Sequence, residues 1–225
     1  MPEQPTSALA GFTGIYAGDP PLETGRPQPL FIAMADRVVG PLLDCGCGTG
    51  TTALFFAARG LEVTGIDFVE EALRLARAKA DQQGLSVEFL RKDAMTLADW
   101  ERRFASVIDS GLFHIYAGDE RRRYVAGLAN VLKPGGRLFL FVFSDEEPGA
   151  PGGGVSMDDL NQAFSRCWEI ESVETVRGEL NPAFTAVQPD AFSKGGPLGR
   201  FAIIRRRSPV EILRSSGARV GVLST

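Results

Sequence analysis

The feature that most constrains the fold of this chain is an alternation of short apolar runs with stretches of helical length. The runs that we interpret as strands are Pro41–Cys45, Glu62–Asp67, Val87–Arg91, Ser106–Ser110 and Arg137–Phe143. The helical stretches between them are Thr51–Arg59, Glu70–Gln83 and Glu120–Leu132. Strand, helix and strand repeated in this way build a parallel sheet through right-handed crossovers, with helices on both faces. The sequence therefore predicts a doubly wound α/β fold.

The segments that flank this alternation complete the predicted architecture. Residues 1–29 are rich in Pro, Gly and Thr and lack clean periodicity, so we expect a loop with one helix turn near Ser7–Phe12. Further predicted features are a helix at Phe31–Val39, a helix stop and turn at Lys133–Gly136, a loop at Ser144–Gly154, a helix at Met157–Phe164 and strands at Trp168–Val176 and Arg200–Arg206. The last two strands are expected to pair antiparallel. The whole is a Rossmann-like, mostly parallel sheet with an antiparallel edge and helices on both faces.

Length, charge and cysteine content limit the class of protein. A chain of 225 residues suits a single domain, and a net charge of −4 with mixed signs offers no basic surface for nucleic acid. No stretch approaches the ~18 apolar residues that span a bilayer, and no signal peptide is visible, so we expect a soluble, cytoplasmic protein without a membrane partner. Three cysteines and one histidine are too few for a disulfide framework or a convincing zinc site, so no metal is predicted.

The strongest motif is a strand that runs into three alternating glycines and then into a helix. It reads Leu-Leu-Asp-Cys-Gly-Cys-Gly-Thr-Gly, with the glycines at Gly46, Gly48 and Gly50. Glycines let the backbone turn sharply against a ligand, and the following helix offers free N–H donors. Asp44 stands before the first glycine, where a carboxylate repels a pyrophosphate but suits the ammonium and sulfonium charges of a methyl donor. Capping of the turn is the alternative role for Asp44.

Acidic residues also end the next strands, where open α/β sheets bind their ligands. Asp67 ends the second strand, 21 residues after Gly46, at the position where a carboxylate accepts both hydroxyls of a ribose. Asp93 follows the third strand and Asp109 lies in the fourth. Phe68 could pack on an adenine face or in the core.

Together these motifs resemble the class I S-adenosylmethionine-dependent methyltransferases, over roughly Phe31 to Phe143. The resemblance rests on the glycine motif, the acid-ended second strand VTGID, RKDAM after the third strand and LKPGGRL before the fifth. It implies S-adenosylmethionine as the methyl donor, with the three glycines close to it and Asp67 on its ribose. It further implies that Asp93 with Ala94 recognises the adenine, and that Asp109 with Ser110 lies near the methionine end.

Two further segments resemble a small-molecule branch of that family. The run DPPLETGRPQP, residues 19–29, is similar to the N-terminal lid of thiopurine and thiol methyltransferases, although Leu22 stands where the lid usually has tryptophan. VIDSGLFHIY, with the segments after it, is similar to bacterial methyltransferases that modify heterocyclic toxins such as hydroxyquinolines. The resemblance divides the chain into a lid at 1–30, a methyltransferase domain at 31–207 and a tail of uncertain structure at 208–225.

Several residues are candidates for the acceptor side of the site. His114 follows the fourth strand and could take a proton from the acceptor, orient it, or be a half-buried histidine without such a role. Arg26, fixed between Gly25 and Pro27, could meet a carboxylate or the backbone, or only tether the lid. The aromatic residues Tyr16, Phe113 and Tyr116 would shape a pocket for a flat or apolar molecule.

The sequence-based hypothesis is methyl transfer from S-adenosylmethionine to N, O or S of a small heteroaromatic or thiol acceptor. Such a displacement needs alignment of the acceptor and exclusion of water, and it needs no covalent nucleophile. An NAD-dependent oxidoreductase could use the same turn and Asp67, but the G-x-G-x-G spacing and Asp44 speak against it. A non-catalytic protein that keeps the donor site is the third hypothesis, because fold alone does not establish function.

Overall fold

The computed structural model describes residues 20–215. Its strands are β1 Leu42–Cys45, β2 Val63–Asp67, β3 Glu88–Arg91, β4 Phe104–Ser110, β5 Leu132–Phe143, β6 Trp168–Arg177 and β7 Leu198–Arg206. Its α-helices are α1 Pro29–Ala33, α2 Thr51–Ala58, α3 Glu70–Gln83, α4 Gly118–Val131, α5 Met157–Ala163, α6 Pro182–Val187 and α7 Pro209–Ser215. None of the helices within residues 20–215 combines the length and the hydrophobicity that a membrane span requires.

The strands form one mixed sheet in the order β3-β2-β1-β4-β5-β7-β6. The first five in this order run parallel, and β7 inserts antiparallel between β5 and β6. The predicted fold class is confirmed, including the antiparallel edge. The order of the strands reverses between β1 and β4, where Cys45 pairs with Asp109. Open α/β sheets bind ligands at such a switch point, outside the carboxyl ends of the strands.

Apolar residues of successive strands pack on both faces of the sheet. In the central strand β1, neighbouring Leu42 and Leu43 are fully buried in two different core clusters, one on each side. Val107 and Ile108 in β4 divide in the same way. Because consecutive side chains of a strand point to opposite faces, a strand with helices on both sides reads as a continuous apolar run. This is why short apolar runs predicted the central strands well.

The predicted helix at Phe31–Val39 is wrong in its extent. The structure has the short helix α1, which starts earlier at Pro29, and then a separate 3₁₀ turn at Ala35–Arg37. Val38 is already extended, and the Val39 N–H donates to Ser106 Oγ (3.0 Å). That tertiary hydrogen bond lies beyond the 3₁₀ turn, so the last residues of the predicted helix lead into β1 as extended chain.

Two other segments differ from the sequence-based prediction. Lys133–Gly136, expected as a turn between elements, lies within β5, because Leu132 already pairs with Phe104 and the register shifts before Ser106. The helix α6 follows β6 and was not predicted; its Asn181 N-cap accepts from the Ala183 N–H. The tail expected at 208–225 contains α7, and its last ten residues lie outside the described range. The predicted helix turn at Ser7–Phe12 lies outside it too.

Residues 20–28 lie against the segment that follows β6. The Gln28 side chain is nearly fully buried, donates to the Glu179 carbonyl (3.0 Å) and accepts from the Glu179 N–H (2.7 Å). The Asn181 N–H donates to the Pro21 carbonyl (2.7 Å). These contacts join parts of the chain more than 150 residues apart. They place the N-terminal segment over the carboxyl edge of the sheet.

The third glycine of the motif is required by its packing against β3 and α3. Gly50 has φ +79°, and a Cβ added to it would lie 2.7 Å from Phe89 Cζ and 2.8 Å from Ala76 Cβ. Gly60, just beyond α2, has a similar φ of +85° but nothing within 4 Å of its added Cβ. The two positions therefore share backbone strain and differ in packing.

We expect Gly50→Ala to destabilise the protein more than Gly60→Ala. The left-handed backbone costs about 1 kcal/mol in both variants, and overpacking against Phe89 adds about 1–3 kcal/mol in Gly50→Ala only. Urea unfolding of both variants against the parent protein measures the two costs. Equal destabilisation would show that Gly50 serves only the conformation of the turn.

Candidate active site

Two cavities open at the carboxyl edge of the sheet and meet at the switch point. The first cavity is lined by residues that follow β2 and β3, among them Asp67, Phe68, Asp93 and Ala94. The second lies under residues 20–28, with Asp44, Thr49, His114, Phe143 and Phe192 among its lining residues. Gly46, Ser110 and Gly111 line both cavities. One extended ligand could therefore occupy the first cavity and reach into the second.

The glycine loop is held to the end of β2 by backbone donors. The Gly46 and Cys47 N–H groups both donate to the Ile66 carbonyl (2.9 Å each), and the Gly48 N–H donates to Asp67 Oδ2 (2.9 Å). Gly46 has φ +74°, and a Cβ added there would lie 3.2 Å from Leu112 Cδ2. Gly46 and Gly48 line the second cavity with bare backbone.

Asp67 connects the glycine loop to the wall of the first cavity. Its Oδ1 accepts the Val69 N–H (2.8 Å) while its Oδ2 holds the loop, and it is 8% exposed on the wall of the first cavity. Burial raises the pKa of this carboxyl, and the backbone donors oppose that shift. Each carboxylate oxygen has a second lone pair, so Asp67 keeps the capacity to accept from a ligand.

Asp44 is buried with an unsatisfied oxygen. It is 2% exposed, lines the second cavity, and its Oδ2 has no hydrogen-bond partner among residues 20–215. Burial raises its pKa to about 7; a hydrogen bond from the Ala53 backbone opposes this, and the charges of Asp67 and Asp109 add to it. A buried acceptor without a partner costs free energy, and a cationic ligand in the second cavity would remove that cost.

Asp109 and Ser110 are both expected at the ligand, but only Ser110 reaches the cavities. Ser110 lines both cavities, whereas Asp109 is fully buried and lines neither. Asp109 accepts from Tyr124 Oη and from the Leu112 N–H, both at 2.8 Å. Burial raises its pKa to about 6, against the opposing hydrogen bonds. Asp109 therefore stabilises the turn after β4 without lining either cavity.

The far end of the first cavity contains the residues expected at an adenine. Asp93 caps the 3₁₀ helix Ala94–Asp99 by accepting the Met95 N–H (2.8 Å). Phe68 lines the same cavity, with the Arg91 guanidinium 5.5 Å from its ring centroid. The structure thus brings Phe68, Asp93 and Ala94 together, and Gly50 alone of the three motif glycines lines neither cavity.

The aromatic residues expected at the acceptor lie in different places. Phe113 is fully buried, stacks on Phe164 at 5.4 Å and lines neither cavity, so its position is that of a core residue. Tyr116 lines the first cavity, and its buried hydroxyl has no partner among the described residues. Both follow the turn at Gly111 in sequence, and their directions depend on packing, of Phe113 on Phe164 after α5 and of Tyr116 on Tyr124 in α4. Tyr16 lies outside the described residues.

His114 lines the second cavity and is 6% exposed. Its ring stacks on Phe143 with centroids 4.7 Å apart, and its Nδ1 accepts the Phe143 N–H (3.4 Å). Burial, with a smaller contribution from the positive charge of Arg121, lowers the pKa of His114 to about 4. The imidazole is therefore neutral at neutral pH.

Arg26 is a tether in this structure. Its guanidinium pairs with Glu179 Oε1 (2.7 Å) beyond the end of β6, at the rim of the second cavity. Its side chain is 64% exposed, so this ion pair contributes little to stability by itself. The tether is one of the alternatives that the sequence left open.

Sequence reasoning missed Glu23 and Phe192, which also line the second cavity. Glu23 accepts hydrogen bonds from the hydroxyls of Thr49 and of Thr51 (2.8 Å for the latter), and Lys79 Nζ donates to Thr49 Oγ1 (2.7 Å). No local pattern signals such a cluster, because Glu23 and Lys79 are far apart in sequence. Their contact joins the N-terminal segment to α2 and α3.

Phe192 reaches the second cavity because Glu147 anchors its loop. Glu147, 4% exposed, accepts the Ser193 N–H (2.7 Å) and the Leu198 N–H (2.6 Å). The Phe192 ring then packs 5.1 Å from that of Phe143. Among residues 20–215 no cluster of three or more His, Cys, Asp or Glu side chains could hold a metal ion.

Comparisons with known proteins agree with this geometry. Residues 42–136 match a family model described as a methyltransferase domain. A 2-heptyl-1-hydroxyquinolin-4(1H)-one methyltransferase of Mycobacteroides abscessus is 32% identical over 201 residues, 85% of this chain and 84% of that protein.

Two solved structures extend the comparison. The first is described by the conversion of a disulfide bond into a thioacetal group during echinomycin biosynthesis. It is 31% identical to this chain, with a TM-score of 0.74, and the match covers 92% of this chain and 96% of that one. The [4+2]-cyclase SpnF shares the fold, with a TM-score of 0.67, 22% identity and coverage of 92% of this chain and 98% of the other.

We expect Asp44→Asn to stabilise the ligand-free protein in a pH-dependent way. The pKa of Asp44 rises from 3.8 to about 7 on folding, so the charged form is disfavoured in the folded state. The parent protein therefore loses stability relative to the variant as pH rises from 4 to 7, by up to about 4 kcal/mol.

Urea unfolding of the two proteins at pH 4.5, 6 and 8 measures this difference. Asn keeps the shape of the side chain, so any pH-independent offset reports its altered hydrogen bonding. A stability difference that does not change with pH would show that Asp44 is not titrating in this range.

Proposed function

Because this chain belongs to the class I S-adenosylmethionine-dependent methyltransferases, we propose that it methylates N, O or S of a small heteroaromatic or thiol acceptor. One observation carries the proposal: two cavities meet at Gly46, Ser110 and Gly111, the first suited to the nucleoside of the donor and the second to its methionine end and the acceptor. The methyl group would be transferred where they join.

The residues of the site fit S-adenosylmethionine. The unsatisfied, buried Oδ2 of Asp44 suits a cationic ligand, and the bare backbone of Gly46 and Gly48 suits close approach. Asp67 would accept the ribose hydroxyls, and Phe68, Asp93 and Ala94 would surround the adenine. Ser110 would lie beside the methionine part. Gly50 and Asp109 would hold these residues in place without contacting the ligand.

The protein itself has to supply little chemistry for this reaction. S-adenosylmethionine, when bound, supplies a methyl group made electrophilic by the attached sulfonium. The chain would align the acceptor with that methyl group and exclude water. Pro21, Leu22, Phe143 and Phe192 give the second cavity apolar walls for this purpose.

A small acceptor follows from the way the second cavity is covered. Residues 20–28 supply part of the lining of this cavity, and hydrogen bonds to the segment 178–181 hold them there as a cover. We propose that residues 1–30 act as the lid and residues 31–207 as the catalytic domain. A polymer such as nucleic acid would have to displace the cover and would meet a chain of net charge −4.

A heteroaromatic or thiol acceptor is supported by two observations. Aromatic rings at Phe143, His114 and Phe192 border the second cavity, and flat molecules pack well on such rings. The relative from Mycobacteroides abscessus is named for methylation of a hydroxyquinolinone. Hydroxyquinolines, phenols and thiols also ionise readily.

We expect S-adenosylhomocysteine to bind the purified protein, with NAD showing no binding. Asp67→Ala should weaken this binding about 10-fold or more, because hydrogen bonds to a charged group are lost. Asp99→Ala is the matched control, since Asp99 is exposed and lines neither cavity. Calorimetry measures all three proteins, and circular dichroism confirms that the variants fold. Equal affinity in the three proteins would remove Asp67 from the site.

Turnover with a labelled donor and a panel of thiols, phenols and quinolines tests the acceptor. Methylation of a panel member supports the proposal. Donor binding without transfer to any acceptor would favour a non-catalytic donor-binding protein, and methylation of protein or RNA alone would place the chain in another branch.

A further inference from the structure

We propose that His114 donates a hydrogen bond from Nε2 to an oxygen of the acceptor beside the atom that is methylated, and does not remove the acceptor's proton. This inference rests on the proposed function. It adds a specificity rule to it: the preferred acceptor has a carbonyl or similar oxygen next to its nucleophilic atom.

The hydrogen bond at Nδ1 determines which nitrogen carries the ring proton. Nδ1 accepts the Phe143 N–H, so its lone pair is used. A neutral imidazole has one N–H and one acceptor nitrogen, which places the proton on Nε2. Nε2 has no hydrogen-bond partner among residues 20–215. His114 therefore has a free N–H donor to offer.

The Nε2 edge of the ring faces the place where the two cavities meet. A Cβ added to Gly111 would lie 3.3 Å from Cε1 and 3.9 Å from Nε2 of His114, and Gly111 lines both cavities. Stacking on Phe143 holds the plane of the ring, and Leu22 Cδ1 lies 3.3 Å from the same added Cβ, so Leu22 borders this place as well. A donor fixed at this junction can orient an acceptor at the point of transfer.

The surroundings of His114 oppose a role as base. To accept a proton, the ring would have to use Nδ1 and give up the Phe143 hydrogen bond. Histidine bases are usually oriented and stabilised by a carboxylate, and none is hydrogen-bonded to this ring within the described residues. The charge that acts on the pKa of the ring is the cation Arg121, while the other ionisable residues lining the second cavity are Glu23, Arg26, Asp44 and Cys47.

The acceptor must then ionise without help from His114. Its proton leaves to solvent before transfer. Its lone pair forms the new bond to the methyl carbon, and the electron pair of the broken carbon–sulfur bond remains on sulfur. A hydrogen bond donated to the methylated atom itself would withdraw electron density from the nucleophile. The N–H of His114 is therefore best placed on a neighbouring oxygen.

Two variants and two acceptors test the inference. His114→Phe keeps a stacked ring without a donor, and His114→Gln restores an N–H near the position of Nε2. The acceptors are methyl thiosalicylate, which has a carbonyl beside its thiol, and thiophenol, which has none. We expect the Phe variant to lower the kcat/KM ratio of the first acceptor to the second about 10-fold or more, and the Gln variant to recover most of that ratio.

The pH profile of the parent protein gives a second, variant-free measurement. We expect the pH at which kcat/KM rises, the acidic limb of the profile, to move with the pKa of the acceptor across a series of substituted thiophenols. A limb that stays at one pH for every acceptor, and is lost in both variants, would show that His114 is the base. An unchanged ratio in the Phe variant would also overturn the inference.

Failure of the proposed function gives a different result. If S-adenosylhomocysteine binds but the parent protein methylates no member of the panel of thiols, phenols and quinolines, the proposed function is wrong and the inference falls with it. Binding of S-adenosylhomocysteine to both variants with the affinity of the parent shows that their second cavity has folded.

Discussion

The attachment of the glycine loop to the end of β2 is the interaction on which the rest of the site depends. Two N–H groups of the loop share the Ile66 carbonyl, and a third is held by Asp67. This places the turn after β1 against its neighbouring strand at the switch point of the sheet. Both cavities open there. The same carboxylate that would hold a ribose therefore also holds the loop that would face the methionine.

Three carboxylates close to this junction are buried, and burial raises the pKa of each. Asp67 and Asp109 receive hydrogen bonds that offset part of the cost, while one oxygen of Asp44 receives none. Like charges in a site of low dielectric destabilise the folded protein unless a cation joins them. The protein without ligand thus carries a cost that a sulfonium or ammonium group would relieve, which links stability to donor binding.

The acceptor side is built differently, from segments far apart in the chain. Residues 20–28 lie on the segment after β6, Glu23 reaches α2 and α3, and Glu147 anchors the loop of Phe192. None of these elements is part of the repeating strand and helix pattern. Different chains with this sheet can therefore keep one donor site and vary the acceptor site through such segments.

The sequence alone determined the parallel sheet, its antiparallel edge and the positions of Gly46 and Asp67, because buried strands and glycine turns have local signatures. It could not predict that the chain before β1 is extended at Val38, where the next residue, Val39, donates a hydrogen bond to Ser106. Nor could it tell that Phe113 packs in the core, or which nitrogen of His114 is free. Those outcomes were decided by tertiary structure, since they depend on partners that approach only when distant segments pack together.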